Sequence, residues 1–220
     1  MKCYNCGKPL DKKDNHVEHI PAKNLFDEFP EDYKKNRITV DACYDCNQSF
    51  SVIDEEFRNF IGTINKRPEA EGLVKKTTRS MTRLASKRAR VLYSVKDKKP
   101  IAVQFDMKQI EAYHIKNFKG VFYHNYGYPL PDDYKIVVHC DETKKTLAGT
   151  KLLNYLQGNF KMKFSGHESV FRYIIQPFRP KHKFDGNDIT PTDNDNLVTL
   201  LSYTKNHAAL VVAERQKVEE

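Results

Sequence analysis

The spacing of apolar residues changes several times along the chain, and each change marks an element. Residues 16–20 and Ile38 to Ala42 read as two short strands separated by the polar stretch 22–37, where Pro30, Glu31, Asp32 and two lysines suit a loop with a helical turn. After Asn47 the pattern becomes helical, since Phe50, Ile53, Phe57, Phe60 and Ile61 recur at intervals of three and four. Ser51, with Asp54 three residues on, is placed to cap that helix. Residues 63–95 predict a helical connector with a sparse stripe of Leu73, Val74, Met81, Leu84 and Val91. From Ile101 onward, apolar strands at 101–105, 134–139, 159–164, 169–175, 196–202 and 208–213 alternate with helical stretches at 107–124 and 146–156. The chain therefore reads as α+β, with segments 1–62, 63–100 and 101–220, the last carrying a mostly antiparallel sheet.

Composition narrows the class. At 220 residues and 39% hydrophobic content the chain can bury a real core. It opens without the apolar stretch of a secretory leader and has no run near the roughly 20 apolar residues that span a bilayer, so a soluble, cytoplasmic protein with no membrane partner is expected. The net charge of +8 is concentrated: residues 63–100 hold 12 Lys/Arg against 3 Asp/Glu, whereas residues 1–62 hold 9 against 12. Lys75, Lys76, Arg79, Arg83, Lys87, Arg88 and Arg90 form a one-signed run, which suits the phosphates of a nucleic acid better than an ordinary solvated face.

Four of the five cysteines fall in two pairs, Cys3-x-x-Cys6 and Cys43-x-x-Cys46. In a reducing compartment such pairs favour one tetrahedral structural zinc over disulfides, so one Zn²⁺ per chain is expected. Cys140, in the run Ile136-Val137-Val138-His139-Cys140, reads as an inert core thiol. Between the cysteine pairs lie Glu18 and His19, and Asn47 directly follows the second pair. Imidazole titrates near neutrality, which makes His19 a natural general base. Glu18 and Asn47 offer hard oxygen ligands of the kind Mg²⁺ or Mn²⁺ takes. Adjacent strand residues point to opposite faces, so Glu18 and His19 share a centre only near a bend or strand end, which Pro21 makes available. His16 reads as a surface residue, and Asp41, Asp45, Asp54, Glu55 and Glu56 as caps or solvated charges. Histidines 114, 124, 139, 167, 182 and 207 show no ligand spacing and are expected to be structural. The aromatics Phe118, Phe122, Tyr123, Tyr126 and Tyr128 could stack bases, but their helical spacing favours core packing.

At Cys3-Tyr4-Asn5-Cys6, Glu18-His19-Ile20-Pro21 and Cys43-Tyr44-Asp45-Cys46-Asn47 the chain resembles the HNH endonuclease superfamily over residues 1–60. The resemblance implies a zinc-bound ββα-metal module, with His19 as general base, Glu18 and Asn47 as ligands of a catalytic Mg²⁺ or Mn²⁺, and the four cysteines as the structural zinc site. It also implies a metal-dependent endonuclease acting on DNA before RNA, in the manner of the modules found in bacterial defence systems and mobile elements. A regulatory protein partner or homo-oligomer for the C-terminal segment is compatible with it. Two positions depart from the family pattern: Glu18 replaces the commoner Asp, and Ile38 stands where an asparagine often orients the histidine, a role that would pass to a backbone carbonyl. The rival reading is a zinc-dependent nucleic-acid-binding module without cleavage.

Overall fold

A computed structural model describes residues 1–65, 71–88, 91–93, 95–96, 100–140, 147–178, 191 and 195–216. Strand β1 (His16–Ile20) pairs antiparallel with β2 (Ile38–Ala42), placing Glu18 opposite Val40 and His19 opposite Thr39. Two 3-10 turns, Lys23–Leu25 and Glu31–Lys34, lie between them. Two helices follow, α1 (Tyr44–Ser49) and α2 (Ser51–Ile64), joined through Phe50, itself in the αR region. Ser51 makes no cap, because Asp54 N–H already donates to the Phe50 carbonyl at 2.8 Å and the chain turns from one helix straight into the next.

Helix α3 (Glu71–Arg88) packs on α2, with Leu73, Thr77 and Ser80 buried one turn apart. A short pair, β3 (Val91–Tyr93) with β4 (Pro100–Val103), leads to α4 (Met107–Tyr126). The connector expected over 63–95 is thus divided: α2 runs to Ile64, and Val91 belongs to a strand.

Local chemistry sets the ends of α4. The Asp106 side chain accepts a hydrogen bond from Lys108 N–H at the N-terminus, and Gly127, at φ 80°, provides the left-handed residue that ends the helix. The remaining strands are β5 (Tyr134–Cys140), β6 (Lys163–Phe164), β7 (Phe171–Phe178), β8 (Asn196–Tyr203) and β9 (His207–Arg215), with α5 (Leu147–Asn159) after β5. They form one antiparallel sheet in the order β5-β9-β8-β7-β6. The strand expected over 159–164 shrinks to two residues, because α5 continues to Asn159 and buries Leu156 and Phe160 as its terminal apolar contacts.

Both faces of the sheet are covered. Along β9, Ala209, Val211 and Ala213 face the core that contains α4, and Leu210 faces the smaller core that contains Leu156 of α5 and Phe160 just after it. This explains why β7 to β9 read as nearly continuous apolar runs. Helix α4 is buried on several sides, by β1, β2 and α2 toward the N-terminus of the chain and by β5, β8 and β9 of the sheet. One apolar core consequently runs from Cys3, Ile20 and Phe57 through Ile110, Phe118 and Val121 to Leu201 and Val211. The molecule is a mixed α+β fold with an antiparallel sheet and a cysteine cluster near its N-terminus. No described helix is long and apolar enough to cross a membrane.

Gly120 sets the approach of α4 to the hairpin, because a Cβ there would overlap the Ile20 side chain. Gly120→Ala should cost about 1–3 kcal/mol through overpacking. Gly158→Ala, in α5 with nothing within 4 Å, should be neutral or stabilising. Urea midpoints of the two variants against wild type check this, and equal midpoints would refute the close approach.

Candidate functional site

The cysteines come together because two tight turns hold them. The first is closed by Cys3 N–H to the Lys8 carbonyl at 2.8 Å and Gly7 N–H to the Cys3 carbonyl at 2.9 Å, with Gly7 at φ 71°. The second is the start of α1, with Cys43 just before it and Cys46 in its first turn. Tyr4 N–H donates to the Asp41 carbonyl at 2.9 Å, tying the first turn to β2. All four Sγ atoms lie within 4.8 Å of one another, and none forms a disulfide. Tetrahedral Zn–S bonds of about 2.3 Å place sulfurs roughly 3.8 Å apart. The Cys6–Cys43 separation is 3.8 Å, and Asn5 donates to the Cys46 sulfur at 3.3 Å, a bond suited to a thiolate. Burial foremost, with the neighbouring thiols adding to it, pushes the Cys46 thiol well up. Ligation of a dication removes that cost. The cluster fits a structural zinc.

Behind it, β1 presents Glu18 inward, 7% exposed. Its carboxylate accepts from Asn47 Nδ2 at 3.2 Å and from its neighbour's backbone, His19 N–H, at 3.1 Å. Asn47 is placed by α1 immediately after Cys46, so the cysteine turn also fixes the amide that reaches Glu18. The structure therefore brings Glu18, the His19 backbone and Asn47 together. Glu18 has a third partner: the Lys116 ammonium lies 3.2 Å away, while donating to both oxygens of Asp54 at 2.7 and 2.9 Å. The Lys116 side chain has no exposed surface, and its charge also sits 5.0 Å from the Phe50 ring. Burial raises the Asp54 carboxyl to about 6, with the ammonium acting against the shift.

The His19 ring lies half-buried, on the opposite side of β1 from Glu18 as strand alternation requires. Burial, then the charges of Arg37, Lys23 and Lys116, lower its pKa below the ordinary 6.5, so the imidazole is neutral at pH 7 and can accept a proton. Among the described residues the ring makes no hydrogen bond. The backbone carbonyl expected to orient it does not engage it, and Ile38 instead buries its side chain in the core. Arg37 adds positive charge here: its guanidinium lies 5.6 Å from the Phe26 ring, and its buried Nε and Nη1 have no partner among the described residues. The end of the hairpin is held by Ser165, which accepts from Ile38 N–H at 2.8 Å and donates to the Ile20 carbonyl at 2.5 Å. His16 is half-buried, its ring 5.5 Å from that of Tyr44.

The basic run is less uniform than its sequence. On α3, Lys75 pairs with Glu71 at 2.7 Å and Lys76 with Asp27 at 2.5 Å, while Arg79 is exposed beside Arg58, Lys76 and Ser80 on the wall of a shallow pocket. Arg83, Lys87 and Arg88 fall on α3 with side chains outside the described part of the structure, and Arg90 lies outside the described residues.

Sequence reasoning missed Lys116, Arg37 and the role of Asp54. A lysine between Tyr113 and Gly120 on the apolar stripe of a helix was the available signal for Lys116. Arg37, at the edge of a strand, carried none. Against known protein families, curated proteins and solved structures, the chain has no significant match.

Removing one partner from a buried ion cluster costs about 3–5 kcal/mol, because the others remain charged without compensation. Lys116→Met should be destabilised by that order at pH 8. The loss should be smaller at pH 5, below the Asp54 value of about 6, where that carboxyl can enter the core protonated. Urea unfolding at the two pH values checks this, and a loss independent of pH would contradict the cluster.

Proposed function

We propose that the protein is a metal-dependent endonuclease of the HNH kind, which hydrolyses phosphodiester bonds in nucleic acid, DNA before RNA. The observation that carries this reading is the bond between Asn47 and Glu18 beside a four-sulfur cluster, with His19 next in sequence. A purely structural zinc turn has no need of a neutral imidazole and a buried carboxylate at its back.

Glu18 and Asn47 are suited to hold a divalent cation. A carboxylate offers about four acceptor positions and Glu18 uses three, while the Asn47 carbonyl oxygen takes only a long bond from Gln48 at 3.4 Å. Two such ligands are enough for Mg²⁺, which keeps waters and takes phosphate oxygens for the rest. When bound, Mg²⁺ or Mn²⁺ neutralises the phosphate and the leaving oxygen. His19 takes the proton from the attacking water, since its ring is neutral at pH 7. Arg37 adds positive charge close to His19, which favours a phosphate there. Lys116 and Asn47 hold the Glu18 carboxylate in one orientation. Arg79 and the rest of the basic run, Lys75, Lys76, Arg83, Lys87, Arg88 and Arg90, attract the backbone without reading its sequence. As the resemblance to HNH endonucleases implies, the products would carry a 5′ phosphate and a 3′ hydroxyl.

Two observations favour the rival reading of a binding module without cleavage: the Glu18 charge is already balanced by Lys116, and the His19 ring lies on the opposite side of β1 from that carboxylate. Digestion of supercoiled, linear and single-stranded DNA and of RNA, with Mg²⁺, Mn²⁺ or EDTA, separates the two. Wild type should cleave with metal and not with EDTA, and His19→Ala should lower the rate about 10² to 10⁴-fold while keeping zinc, stability and nucleic-acid affinity. His16→Ala should cleave normally. Absence of metal-dependent cleavage of any substrate would establish the binding module instead.

A further inference from the structure

Far along the chain from the cysteine cluster, three residues with no ligand spacing in sequence meet inside the fold. Cys140 ends β5 and pairs with Ala209 of β9, and His207 lies two residues before Ala209, so all three side chains share one face of the sheet. That is the face covered by α4, to judge from Ala209, Val211 and Ala213 in the α4 core. From α4, His114 reaches the same spot, and its Nε2 lies 3.0 Å from Nε2 of His207. The two ring nitrogens and the Cys140 sulfur lie within 4.8 Å of one another. We propose that His114, His207 and Cys140 form a second Zn²⁺ site, separate from the four cysteines.

Three observations support the site. The other nitrogen of His114, Nδ1, lies 3.3 Å from the Tyr203 hydroxyl, a partner that fixes the ring and turns Nε2 toward His207, as an outer partner does for a metal-bound histidine. Both rings are buried, at 0% and 2% exposure, so their shared environment excludes water. Aromatic rings flank both imidazoles: Phe57 lies edge-on to His114 at 5.3 Å, and Phe60 edge-on to His207 at 5.0 Å.

Two imidazoles and one thiolate match zinc in ligand type. Tetrahedral Zn–N bonds of about 2.0–2.1 Å place two nitrogens roughly 3.4 Å apart, so the rings need to separate by only about 0.4 Å. With His114 protonated on Nδ1, the proton between the rings is the one on His207 Nε2. Ligation moves that proton to His207 Nδ1 and releases the thiol proton of Cys140. Three protein ligands leave the fourth tetrahedral position without a protein ligand. The site does not depend on nuclease activity, and it gives the half-buried Cys140 a role other than that of a core thiol.

The test is zinc content by elemental analysis after loading with Zn²⁺ and desalting. Wild type should retain two equivalents, one per ligand cluster, while Cys140→Ser and His114→Gln should each retain one. One equivalent in wild type, or two in both variants, would overturn the proposal by reducing the pair of rings to a hydrogen bond. Zinc X-ray absorption on wild type gives an answer even if a variant fails to fold: nitrogen scattering from imidazole in the first shell supports the second site, and a shell of sulfur alone refutes it.

Discussion

One positive charge without exposed surface organises this molecule. The Lys116 ammonium can be buried only because Asp54 of α2 and Glu18 of β1 both reach it. Helix α4 is thereby fastened to the hairpin and to α2 at one point, and Gly120, one turn further on, lets it lie directly against Ile20. The same contact sets the electrostatics of the candidate site. It holds the Glu18 carboxylate in place, and it adds to the burial and to the Arg37 and Lys23 charges that keep His19 neutral. Hairpin and sheet consequently share one core, with α4 between them.

The cysteine cluster acts on the other flank of the hairpin. It joins residues separated by about forty positions, and by fixing the start of α1 it aims Asn47 at Glu18. Ser165, from the C-terminal part of the chain, closes the opposite end by bonding both Ile20 and Ile38. The hairpin that carries Glu18 and His19 is thus held by sulfur at one end, by a serine at the other and by a buried ammonium beneath. A site of this kind is preorganised by three distant parts of one chain, which suits chemistry that needs a fixed carboxylate and an imidazole of set protonation.

The sequence made the hairpin and its cysteines legible because their signals are local: paired cysteines, a Glu-His step and a strand end at Pro21. The strands β7 to β9 were legible from their apolar runs, and α4 from its periodicity. Lys116 was not, since its partners lie 62 and 98 positions earlier and only tertiary packing reveals that an ammonium on an apolar stripe has two carboxylates waiting. His114 and His207 were read as structural for the same reason, as 93 residues separate rings that the fold brings to 3.0 Å. The unmade Ser51 cap and the shortened β6 show the opposite failure, where a local motif gave way to the continuous helices around it.

The account's central claim is that a neutral His19, kept so by burial and nearby cations, takes the proton from water. The pH profile of cleavage tests it most directly. Because the imidazole accepts a proton only when unprotonated, the rate should rise with pH through the His19 pKa and level off above it, with the midpoint of the acid limb below 6.5. The residual rate of His19→Ala should lack that limb. A midpoint at or above 6.5, or an acid limb unchanged in the variant, would contradict the account.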